Sequence, residues 1–233
     1  MPRLLMRATV TLSALAFGLA TASVAQAKPI DPTTADRVMM SDAQATTLGF
    51  GADAVRSFSK STTRTDPVTW PQPMCTTPAG ESVNVPVSRL IYTTTYMSAG
   101  LAMRTGGQAV IVFPTVAEAA TAWATYREKS ALCTGTFLFT INGDTVTVTT
   151  TTGEETLGKE KWFWVRTESS GQQPADTYSQ SSFVTYRLIG TSIQQVLLYS
   201  VGDGTPPNTD AQISSAKKLT VTLGNAWKKA FGS

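Results

Sequence analysis

The sequence predicts an α+β fold: a largely antiparallel sheet flanked by helices, in a single domain. Three observations lead there. Segments of strand character outnumber those of helix character. Successive strand segments are joined by short turn signals, as antiparallel neighbours are. Each main helix opens on a Ser/Thr-x-x-Glu/Gln capping box.

The first box is Ser41-Asp-Ala-Gln44, with Gly49 where a C-cap glycine belongs. It predicts a short helix over 42–48. Lys28 to Thr33 reads as a polar entry, Asp53 to Ser59 as an added turn, and Ser57 to Thr65 as a polar loop. Val83 to Val87 and Arg89 to Tyr96 read as strands, the former demoted to an edge by Pro86. In the latter, Leu90, Tyr92, Thr94 and Tyr96 share a face. Gly100 to Gly107 reads as a glycine-containing connection.

The chain is organised around 107–135. Ala109 to Phe113 is an apolar, β-branched run that suits a buried strand. Pro114 ends it, since proline cannot donate to a ladder. Thr115 and Glu118 then start a helix over 116–131, with Ala119, Trp123 and Tyr126 on one face and Cys133 just past its end.

Beyond it, Phe137 to Ile141 and Asp144 to Thr151 flank Asn142-Gly143, a type I′ hairpin signal. Trp162 to Thr167 is a strand, with Trp162 and Trp164 on one face and Phe163 on the other. Ser169 to Ala175 reads as a polar loop. Ser182 to Ile189 and Ile193 to Val201 form a hairpin around Gly190. Thr209-Asp-Ala-Gln212 opens the last helix, whose apolar face is Ala216, Leu219, Leu223, Ala226, Trp227 and Ala230.

Residues 1–27 read as a secretory signal peptide: Arg3 and Arg7, an apolar run from Ala8 to Val24, and the small-x-small site Ala25-Gln26-Ala27. The expected product is residues 28–233, secreted, with no stable membrane insertion after cleavage. Two of the nineteen basic residues lie in that leader, so the remainder is nearly neutral against sixteen acidic ones. No Lys/Arg cluster of nucleic-acid type is present. The two cysteines are Cys75 and Cys133. In an exported chain one disulfide is the default, with two free thiols as the alternative.

There is no histidine. That removes Ser-His-Asp and Cys-His nucleophiles and His-ligated metal sites. No cofactor or metal is expected. Carboxylates stand at Glu81, Asp144, Glu154, Glu155, Glu160 and Glu168; a glycosidase would need two at a set separation. Glu154 and Glu155 read as solvated in a polar turn. Asp203, Asn208 and Asp210 lack Ca²⁺-loop spacing and read as turn and cap residues. Ser214 and Lys217 have Ser-x-x-Lys spacing, yet on an amphipathic helix the lysine reads as solvated. Trp162 and Trp164 either line a ligand cleft or pack under a helix, and Trp70, between proline-rich flanks, is a binding edge or a plug.

Four stretches then occur in one order: Val38 to Gly49, Pro73-Met-Cys75, Val110 to Thr115 with its Ala-rich helix, and Leu132-Cys-Thr-Gly135. In these the chain resembles the extracellular sensor domain of actinobacterial receptor Ser/Thr kinases, in its free-standing exported form. The resemblance implies a helix-flanked antiparallel sheet with a cleft for an unidentified ligand. It matches Cys75 and Cys133 to two bridge-forming cysteines. The family commonly carries four cysteines, and a tryptophan where this chain has Ser130. The expected function is a secreted, non-enzymatic ligand-binding or sensor-like domain. Its partner would be a small molecule or cell-envelope component, with Trp70, Trp162 and Trp164 as ligand contacts. The alternatives are a carboxylate-dependent envelope hydrolase and a secreted interaction or inhibitor protein.

Overall fold

A computed structural model of the chain describes residues 30–62, 90–98, 102–141, 144–157, 160–172, 177–203 and 208–232. The elements run α1 (Pro32–Val38), α2 (Asp42–Thr47), β1 (Val55–Thr62), β2 (Leu90–Ser98), β3 (Ala102–Val112), α3 (Val116–Leu132), β4 (Gly135–Ile141), β5 (Asp144–Leu157), β6 (Glu160–Gln172), β7 (Thr177–Ile189), β8 (Ser192–Asp203) and α4 (Asp210–Phe231). The strands form one eight-stranded sheet in the order β1-β2-β3-β8-β7-β6-β5-β4. Every pairing is antiparallel. The fold is α+β, as the sequence predicts.

Capping chemistry sets the helix starts. Ser41 and Thr209 make complete boxes with Gln44 and Gln212. Thr115 does it differently: its hydroxyl accepts from Glu118 N at 3.2 Å and donates to the Glu118 carboxylate at 2.8 Å. The polar entry turns out to be helical from Pro32. Asp31 caps the Thr34 amide at 2.9 Å, and proline sits in the first turn, where a missing N–H costs nothing.

Three further expectations are corrected. The expected turn and loop over 53–65 include β1, an edge strand whose polar composition hides it; Phe58 is half-buried, stacked 6.3 Å from Tyr92. The expected connection over 100–107 is strand from Ala102, and its glycines are there for room. A Cβ on Gly106 would lie 2.6 Å from the Phe50 ring, and one on Gly107 would lie 2.0 Å from the Thr94 carbonyl oxygen. The expected loop from Ser169 is β6 as far as Gln172, because β5 and β7 pair with it on both sides. The expected strand Val83–Val87 and the Asn142-Gly143 turn lie outside the described residues.

Alternation sends side chains to two covered faces. On one, Tyr96, Phe183, Val196 and Leu198 pack against Leu48 of the α2 C-cap and against Ala216, Leu219 and Leu223 of α4. Beside them Tyr92, Val110, Val112 and Ile189 meet Ala35 and Trp227. On the other, Ile111, Phe163, Val165, Tyr186 and Ile193 pack under Ala119, Ala122 and Tyr126 of α3. Sheet side chains also hold the N-terminal segment by its backbone. Tyr92 Oη donates to Ile30 O at 3.1 Å, Tyr96 Oη to Met40 O at 3.0 Å, and Gln108 Oε1 accepts from Met40 N at 2.8 Å. Burial pushes the Tyr96 hydroxyl up to about 12.

Arg187 of β7 fixes α4. Its guanidinium is buried, 2% exposed, on the α4 face. It donates to the carbonyls of Thr220 (3.4 Å) and Val221 (2.9 Å), to Asn225 Oδ1 (2.8 Å) and to the Glu160 carboxylate. Gly224 leaves the notch for it: a Cβ there would lie 2.4 Å from Arg187 Nη1 and 2.5 Å from Gln194 Oε1. Glycine in a helix interior ordinarily costs about 1 kcal/mol relative to alanine. Here a methyl would overpack two buried side chains, which costs about 1–3 kcal/mol. Gly224→Ala is therefore expected to lower stability by roughly 1–2 kcal/mol, read as a lower urea midpoint at unchanged slope. A raised midpoint would show that Arg187 is not held in that notch.

Candidate functional site

A cleft lies on the α3 face, between α3 and strands β5 and β6. It is open to solvent on one side and has a volume of about 470 Å³. Ala124, Arg127 and Ser130 of α3 form one wall; Thr152 and Glu154 of β5 and Phe163 of β6 form the other. These residues meet for a local reason. Thr152 and Glu154 sit opposite Val165 and Phe163 in the β5–β6 register, so all four point to the α3 side. The small residues of α3 bring the helix close to Phe163 and Tyr186, which stack at 4.5 Å.

The lining is polar at the mouth and aromatic at the base. Arg127 pairs with Glu154 across the cleft, both about half-exposed. The Arg127 guanidinium also lies 5.8 Å from the Trp123 ring centroid, and Trp123 meets Phe163 edge-on at 5.6 Å. Tyr126, buried on the same helix, has its hydroxyl pushed up to about 12 by burial. Ser130 is buried, and a small side chain there leaves the volume open. The Thr134 and Thr152 hydroxyls, 3.1 Å apart, join the end of α3 to β5.

The aromatic pair singled out in the sequence lies on the opposite face. Trp162 is buried beside Arg187 in the β6–β7 register. Trp164 is half-buried against Phe183 (5.7 Å), with Lys217 Nζ of α4 4.7 Å from its ring centroid. A Cβ on Gly153 would meet that ring at 2.4 Å, so glycine in β5 makes space for it. Neither tryptophan lines the cleft. Trp70 and Glu81 lie outside the described residues.

Cys133 is the C-cap of α3, buried, and is not a free thiol. Cys75 lies outside the described residues, so the pairing of the two is a proposal. It would pin the chain preceding β2 to the end of the helix that walls the cleft.

Glu154 and Glu155 are strand residues of β5, which corrects their placement in a turn. Adjacent in sequence, they point to opposite faces: Glu154 to Arg127 and Glu155 to Lys217 of α4 (2.7 Å). They therefore do not make a facing pair of the kind glycoside hydrolysis needs. Lys217 is held by Glu155 and by the Trp164 ring. Glu160 pairs with Arg187 and Lys228, and Glu168 with Arg166. Asn208 is buried, its Nδ2 donating to Ser181 O at 3.2 Å, and Asp210 is exposed near Arg166. Asp144 and Asp203 stand at strand ends. Among the described residues no group of three His, Cys, Asp or Glu side chains is placed to hold a metal ion, and no helix is long and apolar enough to cross a membrane.

Set against known proteins, the whole sequence matches no protein-family model and no curated protein.

The hydrogen bond from Lys228 and the second from Arg187 hold the Glu160 carboxyl below the usual glutamate range. A carboxyl depressed in the folded state contributes stability above its unfolded value, roughly 4.3, and loses it as pH falls through the folded value. Glu160→Gln is expected to be less stable than the parent at neutral pH, with the gap closing below about pH 4. Urea unfolding across that range checks this; a gap that stays constant with pH would contradict it.

Proposed function

We propose that the chain is an exported, non-enzymatic ligand-binding domain, sensor-like in kind, and that the cleft between α3 and strands β5 and β6 is its ligand site. One observation carries this: a cleft of about 470 Å³ with an aromatic base, a charged rim and a scaffold on both sides. Sites for small molecules are built this way, with apolar area for affinity and a few placed polar groups for orientation. The Arg127–Glu154 pair offers one donor fork and one acceptor to a polar ligand. Phe163 and the stems of Arg127 and Glu128 offer apolar contact. The motif likeness to extracellular sensor domains, and the leader-like residues 1–27, support the same reading.

The interaction alternative, a secreted inhibitor, calls for a closed Trp162/Trp164 region, and Trp162 is buried while Trp164 packs on Phe183. The cleft on the opposite face is what favours a small occupant. The hydrolase alternative finds no facing pair in Glu154 and Glu155, which point to opposite faces of the sheet.

Ala124 is exposed and lines the cleft, so Ala124→Trp fills it without touching the core. Protein recovered from its native medium is expected to retain a small molecule detectable by mass spectrometry. The Ala124→Trp variant is expected to lose at least about tenfold in retained ligand at an unchanged melting temperature, equivalent to about 1.4 kcal/mol of binding. Equal retention by the variant, or none by either protein, would overturn the assignment.

A further inference from the structure

Among the described residues the arginines differ in what answers their charge. Arg56, Arg127, Arg166 and Arg187 each pair with a carboxylate. Arg37 is exposed, so water answers it. Arg104 of β3 is half-buried, and no carboxylate or carbonyl among the described residues accepts from it. Taking a guanidinium part-way out of water without an acceptor is unfavourable.

Its surroundings add to that. A Cβ on Gly49 would lie 3.3 Å from Arg104 Nη1 and 2.5 Å from Gln212 Nε2, so the guanidinium stands beside the first turn of α4. A helix start carries partial positive charge, and a cation there has the wrong sign. The end of α2 is near as well, but its carbonyls are taken. Ala45 O and Thr46 O accept from the amides of Leu48, Gly49 and Phe50, and Leu48 O accepts from Gln212 Nε2. The capping box of α4 uses the Gln212 amide and leaves those of Asp210 and Ala211 without an acceptor inside the helix. Asp210, the acid of that turn, is 95% exposed and turns to Arg166.

Hydroxyls flank the arginine. Arg104 faces Ser98 of β2 and Ser200 of β8 in register, and Ser200 faces Ser181 of β7. These residues alternate in step with Tyr96, Leu198 and Phe183, so all four lie on the α4 face. Ser181 Oγ accepts from the amide of Asn208 at 3.2 Å, immediately before the Thr209 cap. The row therefore runs under the start of α4. Ser200, in its middle, is 2% exposed, and its hydroxyl has no partner among the described residues. Donors stand side by side here, with nothing negative to receive them.

We propose that Arg104, Ser98 and Ser200, beneath the first turn of α4, form a binding site for a tetrahedral oxyanion: a phosphate group, free or at the end of a phosphate ester. The guanidinium fork takes two of its oxygens, the serine hydroxyls donate to the others, and the helix start favours its charge. The site lies on the face opposite the cleft and does not depend on what the cleft holds.

Inorganic phosphate is the probe, with chloride and acetate at matched ionic strength as controls and glycerol phosphate as the ester. Titration calorimetry is expected to show phosphate binding that Arg104→Gln weakens by about tenfold or more and that Ser200→Ala also weakens. Phosphate is expected to raise the melting temperature of the parent above its value in chloride. Arg104→Gln is expected to melt no lower than the parent in chloride, since it removes a cation with no acceptor, and to fall behind it in phosphate. Glycerol phosphate bound as tightly as inorganic phosphate assigns the site to an ester, and weaker binding assigns it to the free anion. Binding of neither phosphate probe overturns the proposal, as does acetate bound as tightly as phosphate or an Arg104→Gln variant that binds like the parent. A variant destabilised equally in chloride and in phosphate makes Arg104 a structural residue only, and overturns it too.

Discussion

A buried cation is the constraint around which one face of this protein is arranged. Arg187 sits mid-sheet, almost without access to water, and a charge in that position is tolerated only if it is neutralised and its donors are taken. Glu160 supplies the charge from the neighbouring strand, and α4 supplies the acceptors from its backbone and from Asn225. These demands fix several residues at once. The helix must approach closely at Gly224, Glu160 must be ionised, and Lys228 must follow at the end of α4 to share that carboxylate. Hydrophobic contact through Leu219, Leu223 and Trp227 could be made by a helix sliding or rotating slightly; the guanidinium allows one position.

The other face obeys a different rule. There α3 packs with small residues, Ala119 and Ala122, so the aromatic stack of Phe163 and Tyr186 does the filling. Where α3 reaches the β5 margin, Ser130 and Ala131 leave space that bulkier side chains would close, and a cleft opens. The two faces thus divide the work. The polar clamp under α4 secures the scaffold, and the small-residue helix on the opposite side leaves room for a guest.

Much of the fold was legible because its signals are local. The three Ser/Thr-x-x-Glu/Gln sequences at Ser41, Thr115 and Thr209 mark helix starts that the structure contains, and the alternation in 90–96 and 182–201 places the central strands. β1 was illegible because an edge strand whose half-buried apolar residue is Phe58 has the composition of a loop. Gly106 and Gly107 misled for the opposite reason: glycine reads as a turn, whereas here it answers to the Phe50 ring and the Thr94 carbonyl, neither near in sequence. The site was harder still. Tryptophan drew attention to Trp162 and Trp164, which face α4, while the intervening Phe163 faces the cleft. Period-two alternation did separate the two sets. Which set faced the open side depended on where α3 and α4 dock, and that is set by Arg187 and by small residues far apart in the chain. Arg187 itself carried no sequence signal beyond a charge inside an otherwise apolar and β-branched run, which in hindsight is the mark of a buried, paired cation.

Hydrogen exchange on the parent and on an Arg187→Met variant tests the role of the buried guanidinium most directly. Methionine keeps much of the volume and removes the donors and the charge. If Arg187 fixes α4, the amides of 213–228 lose protection selectively, by about tenfold or more, while those of β7 and β8 keep theirs relative to the rest of the sheet. Uniform loss across sheet and helix, or unchanged protection in α4, would contradict a clamp at this position and leave the docking of α4 to its apolar face alone.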